Sequence, residues 1–452
     1  MSTREKWRKA TGLLLVGLIL ACCSSAPART FFALPEHVWL PQGQTQRFAL
    51  QVPFRATVRS TPAGALAVNG EVIGSQGYTA SMAEPLAIGA LQTGHYTLDV
   101  RLLGLIPLRR MTVDVVPPIR VIPGGHSIGV LLKSRGVMVV GHAVVRDSDG
   151  NPHQPGREAG IEQGDLMLTI DGTEVTSEEQ TARLFQEAGR KGRAAEVTVK
   201  RKGHLLHKQV LPVRDKESGR WRVGLYIRDG AAGVGTLTFY DPATGRYGAL
   251  GHVIADGETN LPIEIREGHI VDAVVTAIQK GRKGLPGEKV GTMQGNTGSL
   301  GNIDRNTRFG ISGQMKAPVK NPLYPEAIPV AMADQVHEGP AEMVTVVEGR
   351  RLERFDLEIV RVMRQPTAEG KNMIVKVTDP RLLAKTGGIV QGMSGSPIVQ
   401  DGRIVGAVTH VFVNDPTRGY GALIEWMLQE AGVLKPGRQT SFERETSRSL
   451  FV

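Results

Sequence analysis

After residue 23 the chain has no cysteine. Its two thiols, Cys22 and Cys23, close a single apolar run near the N-terminus. The rest can therefore hold no internal disulfide, no cysteine nucleophile and no cysteine-ligated zinc. Aromatics are scarce at 5%, against 55 glycines in 452 residues, a composition that suits tight turns and modest β cores better than helix bundles. No phosphate loop, metal-binding histidine pair or dinucleotide fingerprint is present, so neither a metal nor a cofactor is expected. The net charge is +10, from 54 basic and 44 acidic residues. The basic residues are scattered and not interleaved with aromatics, which argues against nucleic acid and leaves a general attraction to anionic membrane surfaces. A chain of this length predicts two to four domains.

What is there begins with a targeting pattern over residues 1–30. Arg4, Lys6, Arg8 and Lys9 precede the run Gly12 to Cys23, "GLLLVGLILACC". A bilayer needs roughly 20 apolar residues, so this shorter run reads as a signal region or short anchor, and export with membrane contact is the expectation. "ILAC" is also a loose match to a lipoprotein cleavage site. Residues 31–118 alternate apolar and polar positions between Gly/Pro turns, as in "YTLDVRLLGLIPLRRMTVDVV", and predict a small β-sandwich ending at Pro117-Pro118.

In residues 119–215 the pattern changes. "SIGVLL" is followed by "PGREAGIEQGDLMLTIDGTEV", a helical "SEEQTARLFQEAG" and a closing strand "RAAEVTVKRKG". The stretch "AGIEQGDLMLTIDG" resembles the PDZ domain family, which holds extended peptide tails on a strand edge. By that resemblance the loop receiving a terminal carboxylate is Ser127, Ile128, Gly129 and Val130.

Residues 222–432 carry the chemistry, ahead of a tail at 433–452. In "QGMSGSP", Ser394 stands in a glycine-rich turn, where Gly392 and Gly395 let the backbone lift the hydroxyl and aim nearby N–H groups at one point. A serine nucleophile needs a base, and the Gly-flanked His252 of "GALGHVIAD" suits that role better than His269, His337 or His410. The region "GMSGSPIVQDGRIVGAVTHV" resembles the serine turn of chymotrypsin-like proteases. That likeness implies a double β-barrel, an oxyanion hole at Gly392 and Ser394, and a substrate-pairing strand at Thr409, His410 and Val411.

"GALGHVIADGETN", "VTDPRLLAKTGGIVQGMSGSPIVQ" and "GAVTHVFVNDPTRGYG" together, downstream of a PDZ-like segment, resemble the SpoIVB peptidase family. The likeness implies a mainly β, multidomain serine endopeptidase with a triad of His252, Asp379 and Ser394. It implies self-cleavage, then cleavage of a membrane-associated regulator of an intramembrane metalloprotease, between the forespore and mother-cell membranes, so that a late sigma factor is released. Asp379 can equally cap the helix "PRLLAKTGG", which leaves Asp256, Asp272, Asp304 and Asp334 open as the third member. A non-catalytic exported scaffold binding protein tails is the alternative reading. An HtrA-type enzyme is disfavoured because there the protease precedes the PDZ domain.

Overall fold

The computed structural model describes residues 37–48, 55–81, 85–102, 105–293, 298–363 and 370–434. The expected targeting segment at 1–30 and the tail from 435 lie outside them. No helix among the described residues is long and apolar enough to cross a membrane. The fold is mainly β, as expected.

The N-terminal unit is a sandwich of a five-stranded and a four-stranded sheet. Inward residues of the two sheets, among them Val58, Leu66, Leu98 and Val113, form its core, a consequence of the two-residue side-chain period of a strand. Trp39 and Val116 pack outside that core with Ile404, Met427 and Leu428. The sandwich is thereby seated on the C-terminal part of the chain.

Two long strands organise everything that follows. Strand β1 (Ser127–His142) pairs through its second half with Leu166–Ile170 of a small α/β unit. That unit adds strands Ala195–Arg201 and His204–Val210 and the helix α1 (Glu178–Arg190). The Ser177 Oγ caps α1 by accepting from Gln180 N at 3.1 Å, and Thr181, Phe185 and Ala188 are its buried side. Buried Asp165 accepts from both Arg201 Nε at 2.6 Å and Nη2 at 2.7 Å, and from Glu162 N at 2.9 Å. A charge so enclosed is tolerable because each carboxylate oxygen has a donor.

Strand β2 (Leu225–Tyr240) returns antiparallel along β1: Leu225–Arg228 pair with its second half, and Gly230–Thr236 with Ser127–Lys133. Then come β3 (Arg246–Leu250), β4 (Ile265–Gln279), β5 (Glu288–Met293), β6 (Ser299–Asn302) and β7 (Gly310–Gln314). The pairing runs β1, β2, β3, β7, then across a Gly301–Met315 bridge to β6, β4 and back to β1. This ring encloses Ile128, Val130, Leu237, Tyr247, Ile270 and Ile311. A second barrel, closed in the order β8 (Gly339–Val346), β9 (Leu352–Val362), β10 (Met373–Val377), β13, β12, β11, comprises also β11 (Pro397–Gln400), β12 (Arg403–Phe412) and β13 (Asp415–Leu423). Helix α2 (Pro380–Thr386) leads toward the turn before β11, and α3 (Ile424–Glu430) follows β13.

The α/β unit is thus inserted into the first hairpin of the first barrel. A boundary between 119–215 and 222–432 divides what the fold joins, because residues 127–134 belong to the barrel. The apolar run of β1 reads the same in either unit, so the sequence pattern did not mark the crossing. A fragment starting at residue 219 lacks β1, which pairs with both β2 and β4. That fragment is expected to be unfolded by circular dichroism, whereas residues 119–434 are expected to melt cooperatively. A cooperative melt of residues 219–434 would contradict this architecture.

Candidate active site

Ser394 lies in the turn before β11, and the turn is built on the other barrel. Thr236 of β2 donates its backbone N–H to Ser394 O at 3.1 Å and its hydroxyl to Gly392 O at 2.7 Å. Thr238 Oγ1 donates to Gly395 O at 2.8 Å. Gly395, at φ 93°, approaches so closely that a Cβ would stand 2.1 Å from Thr236 O and 2.4 Å from Leu250 N. Only glycine satisfies both the backbone angle and the contact.

His252 follows directly on β3, where Leu250 and Gly251 both take positive φ, 71° and 73°. Left-handed backbone at a leucine is costly, and such strain persists where surrounding contacts impose it. His252 and Ser394 line one cleft of about 1160 Å³ between the barrels, together with His410, Gln391, Gly392, Lys371 and the strand Gly230–Val234. His252 Nδ1 lies 2.9 Å from Val253 O. A carbonyl can only accept, so Nδ1 carries the proton and Nε2 keeps the lone pair that a general base requires. Burial lowers the imidazole pKa from its ordinary value. The Ser394 hydroxyl donates to Thr409 O at 2.6 Å, a bond it must leave to reach an imidazole. Such apo arrangements commonly tighten only with substrate bound.

The turn also presents donors. Met393 N is bonded to Val390 O and Gly395 N to Val408 O. The amides of Gly392 and Ser394 have no acceptor among the described residues, which leaves them available to an oxyanion. Thr409, His410 and Val411 lie on β12 beyond its last pair with β11, Ala407 with Pro397, and are flanked by β13 alone. The His410 ring sits 4.9 Å from that of His252. Burial, then the charges of His252 and Lys371, push the His410 pKa down to about 4. It is neutral above about pH 4.

Two expected roles do not survive the geometry. Asp379 is the N-cap of α2: its carboxylate accepts from Arg381 N at 2.8 Å, Arg381 Nη2 at 2.7 Å and Asp356 N at 3.3 Å. It does not line the cleft, and among the described residues no carboxylate hydrogen-bonds to His252. Asp256 does line the cleft, but its Oδ1 is occupied by the Thr259 and Glu258 amides and its Oδ2 by Arg228. Asp272 pairs with Arg350 and Asp304 with Arg246. The Val253 carbonyl is what holds the His252 tautomer. Ser127, Ile128, Gly129 and Val130, expected as a carboxylate-binding loop, are barrel strand paired with β2, and from Ile128 onward with β4 on the other side as well. The Ile128–Val130 stretch is thus interior strand and not a loop open to a carboxylate.

Sequence reasoning missed Thr236 and Thr238, although two hydroxyls at alternate positions of the apolar "GVGTLTFY" mark one polar face of that strand. It also missed Leu225–Arg228, which pairs with β1 on one edge and has α1 packed beside it.

Residues 219–428 match the model of the SpoIVB peptidase S55 family, and residues 146–201 that of the PDZ domain. The catalytic part of this chain is a SpoIVB-type serine peptidase. Its PDZ domain is the unit inserted between β1 and β2, and β1 of the first barrel lies upstream of the S55 match. Similar stretches occur in two proteins described as candidate zinc metalloproteases. One, from Treponema pallidum, is 26% identical over 126 residues, 26% of this chain and 27% of that protein. The other, from Clostridium perfringens, is 40% identical over 74 residues, 16% of this chain and 21% of that one. The chain thus spans about a quarter of the length of these relatives. Among solved structures, the Rv3671c protease of M. tuberculosis in its active form aligns at TM-score 0.26 and 14% identity, over 46% of this chain and 77% of that one. An inactive serine-to-alanine form of it aligns at 0.24 and 13%, over 45% and 83%.

Two measurements test the site. Asparagine still caps a helix, so Asp379→Asn is expected to cost about 1 kcal/mol of stability and to leave kcat/KM within about tenfold of wild type, against the ~10⁴ loss in kcat when the carboxylate orienting a triad histidine is changed. Its several donors hold the Asp379 carboxyl at about 2. Its stabilising contribution is therefore complete above the ordinary carboxylate range and is lost as pH falls through that range towards 2. For His252, the acid limb of kcat/KM against pH is expected below the ordinary imidazole pKa of about 6.5, because the base must be neutral and burial favours that form. An acid limb above that value would contradict the assignment.

Proposed function

We propose that this SpoIVB-type peptidase is an exported, membrane-proximal endopeptidase of narrow range, which cuts itself and then a membrane-associated regulator of an intramembrane metalloprotease. In sporulation signalling of the SpoIVB kind that cleavage leads to activation of a late sigma factor. The observation that carries the reading is the sharing of one strand between PDZ domain and cleft. Residues 225–228 of β2 offer the PDZ domain a strand edge, and residues 230–234 of the same strand line the cleft holding Ser394 and His252. An extended chain added to the first stretch lies close to the second. Tethering at such short range raises effective concentration to about the millimolar level, so a weak PDZ contact suffices to select a substrate. This edge takes the place of Ser127–Val130 as the tail-binding element.

The chemistry follows the serine route. Nε2 of His252 takes the Ser394 proton, Oγ attacks the scissile carbonyl, and the amides of Gly392 and Ser394 receive the oxyanion; the imidazolium returns the proton to the leaving amine, and water then releases the acyl group. Members of such a unit are strongly non-additive. Ser394→Ala and His252→Ala are each expected to abolish self-cleavage, read by N-terminal sequencing of the purified chain, with the double variant little worse than either in turnover. Continued self-cleavage in folded His252→Ala protein would remove His252 from the mechanism.

A further inference from the structure

Beneath the nucleophile turn lies a lysine with no acid partner among the described residues. Lys289 of β5 is 1% exposed. Its Nζ donates to Thr345 Oγ1 at 2.8 Å and to Thr236 Oγ1 at 3.3 Å. Each of those hydroxyls holds one side of the turn: Thr236 donates to Gly392 O at 2.7 Å, and Thr345 accepts from Ser396 Oγ at 3.0 Å. The main chain repeats the attachment, with Lys289 N donating to Gln391 O at 2.9 Å and Gln391 N to Gly287 O at 2.8 Å. The contact with the lysine stem is equally close, since a Cβ at Gly392 would stand 3.1 to 3.3 Å from three of its carbons.

We propose that Lys289 is a positioning residue for peptide hydrolysis, whose terminal nitrogen, through Thr236 and Thr345, fixes the turn that carries the Gly392 and Ser394 oxyanion donors and the nucleophile. A lysine is a poor choice for packing alone. Burying an ammonium without a counter-ion costs several kcal/mol, and a methionine of similar length fills the same space without that cost. The ammonium supplies what methionine cannot: N–H donors to two hydroxyls and a positive charge behind the place where negative charge develops. β2, β8 and the turn present Lys289 with hydroxyls and a carbonyl and no titratable side chain. Burial alone draws its pKa down to about 7. The charged form therefore prevails below about pH 7 and is lost above it.

The test is the pH profile of kcat for wild type, Lys289→Met and Thr345→Val on a peptide substrate, with thermal melts of all three. Lys289→Met is expected to keep or raise the melting temperature and to lower kcat by up to about 10²-fold, the effect of about 1 Å of misplacement, with KM changed less than about threefold. Wild type is expected to show an alkaline limb near pH 7 that Lys289→Met lacks. Thr345→Val, which keeps the lysine but removes its shorter bond, is expected to show a smaller loss of kcat and decides the matter if Lys289→Met does not fold. Unchanged kcat in the folded variants overturns the role, and so does a fall in kcat that leaves the alkaline limb in place. Ser394→Ala measured in parallel separates the two levels, since residual turnover there faults the nucleophile and not the lysine.

Discussion

The site depends on one seam, where the nucleophile turn of the second barrel is bonded to strand β2 of the first. Thr236 contributes both a main-chain and a side-chain bond to that turn, and Thr238 a third, all between 2.7 and 3.1 Å. Thr236 and Thr238 are buried, and a buried polar group left without its partner costs about 1–3 kcal/mol. The turn therefore has its geometry only when the two barrels are docked. Gly395 enforces the same condition sterically, because its Cα meets β2 and the end of β3 with no room for a side chain. His252 leaves from the end of β3. Base and nucleophile thus come from different barrels and are referred to each other through a few hydrogen bonds across this seam.

The same strand explains why the PDZ domain sits where it does. An insertion between β1 and β2 lengthens both strands outward from the barrel and leaves the inner halves paired. The order of domains along the sequence is then a poor guide to their order in space: the PDZ domain falls inside the peptidase fold and not simply before it. Carboxylate chemistry is likewise redistributed. Asp256, Asp272, Asp304 and Asp379 are engaged with arginines, amides or a helix terminus, and a main-chain carbonyl fixes the tautomer of His252. A carbonyl stabilises an imidazolium less than a carboxylate does, and this lowers the turnover to be expected of the site.

Much of this was legible in the residues. The alternation of the N-terminal strands, the Gly-bracketed Ser394 and the Gly-flanked His252 each follow from local rules, and the structure brings the last two into one cleft. The fold misled where local pattern is ambiguous. "SIGVLL" has the apolar run of a PDZ loop and strand, yet the same run serves a barrel interior, and only the pairing with β2 and β4 distinguishes them. Asp379 before Pro380 carries the mark of a helix cap, and the structure uses it as one. Lys289 was silent because its importance lies in long-range contacts, such as that to Thr345, which no local period encodes.

The central claim is that Ser394, held on this seam, is the nucleophile. Peptide mapping by mass spectrometry after treating the intact folded chain with a fluorophosphonate tests it most directly. The account predicts a covalent adduct on Ser394 alone among the chain's serines. An adduct on a different serine, or none in demonstrably folded protein, would contradict it.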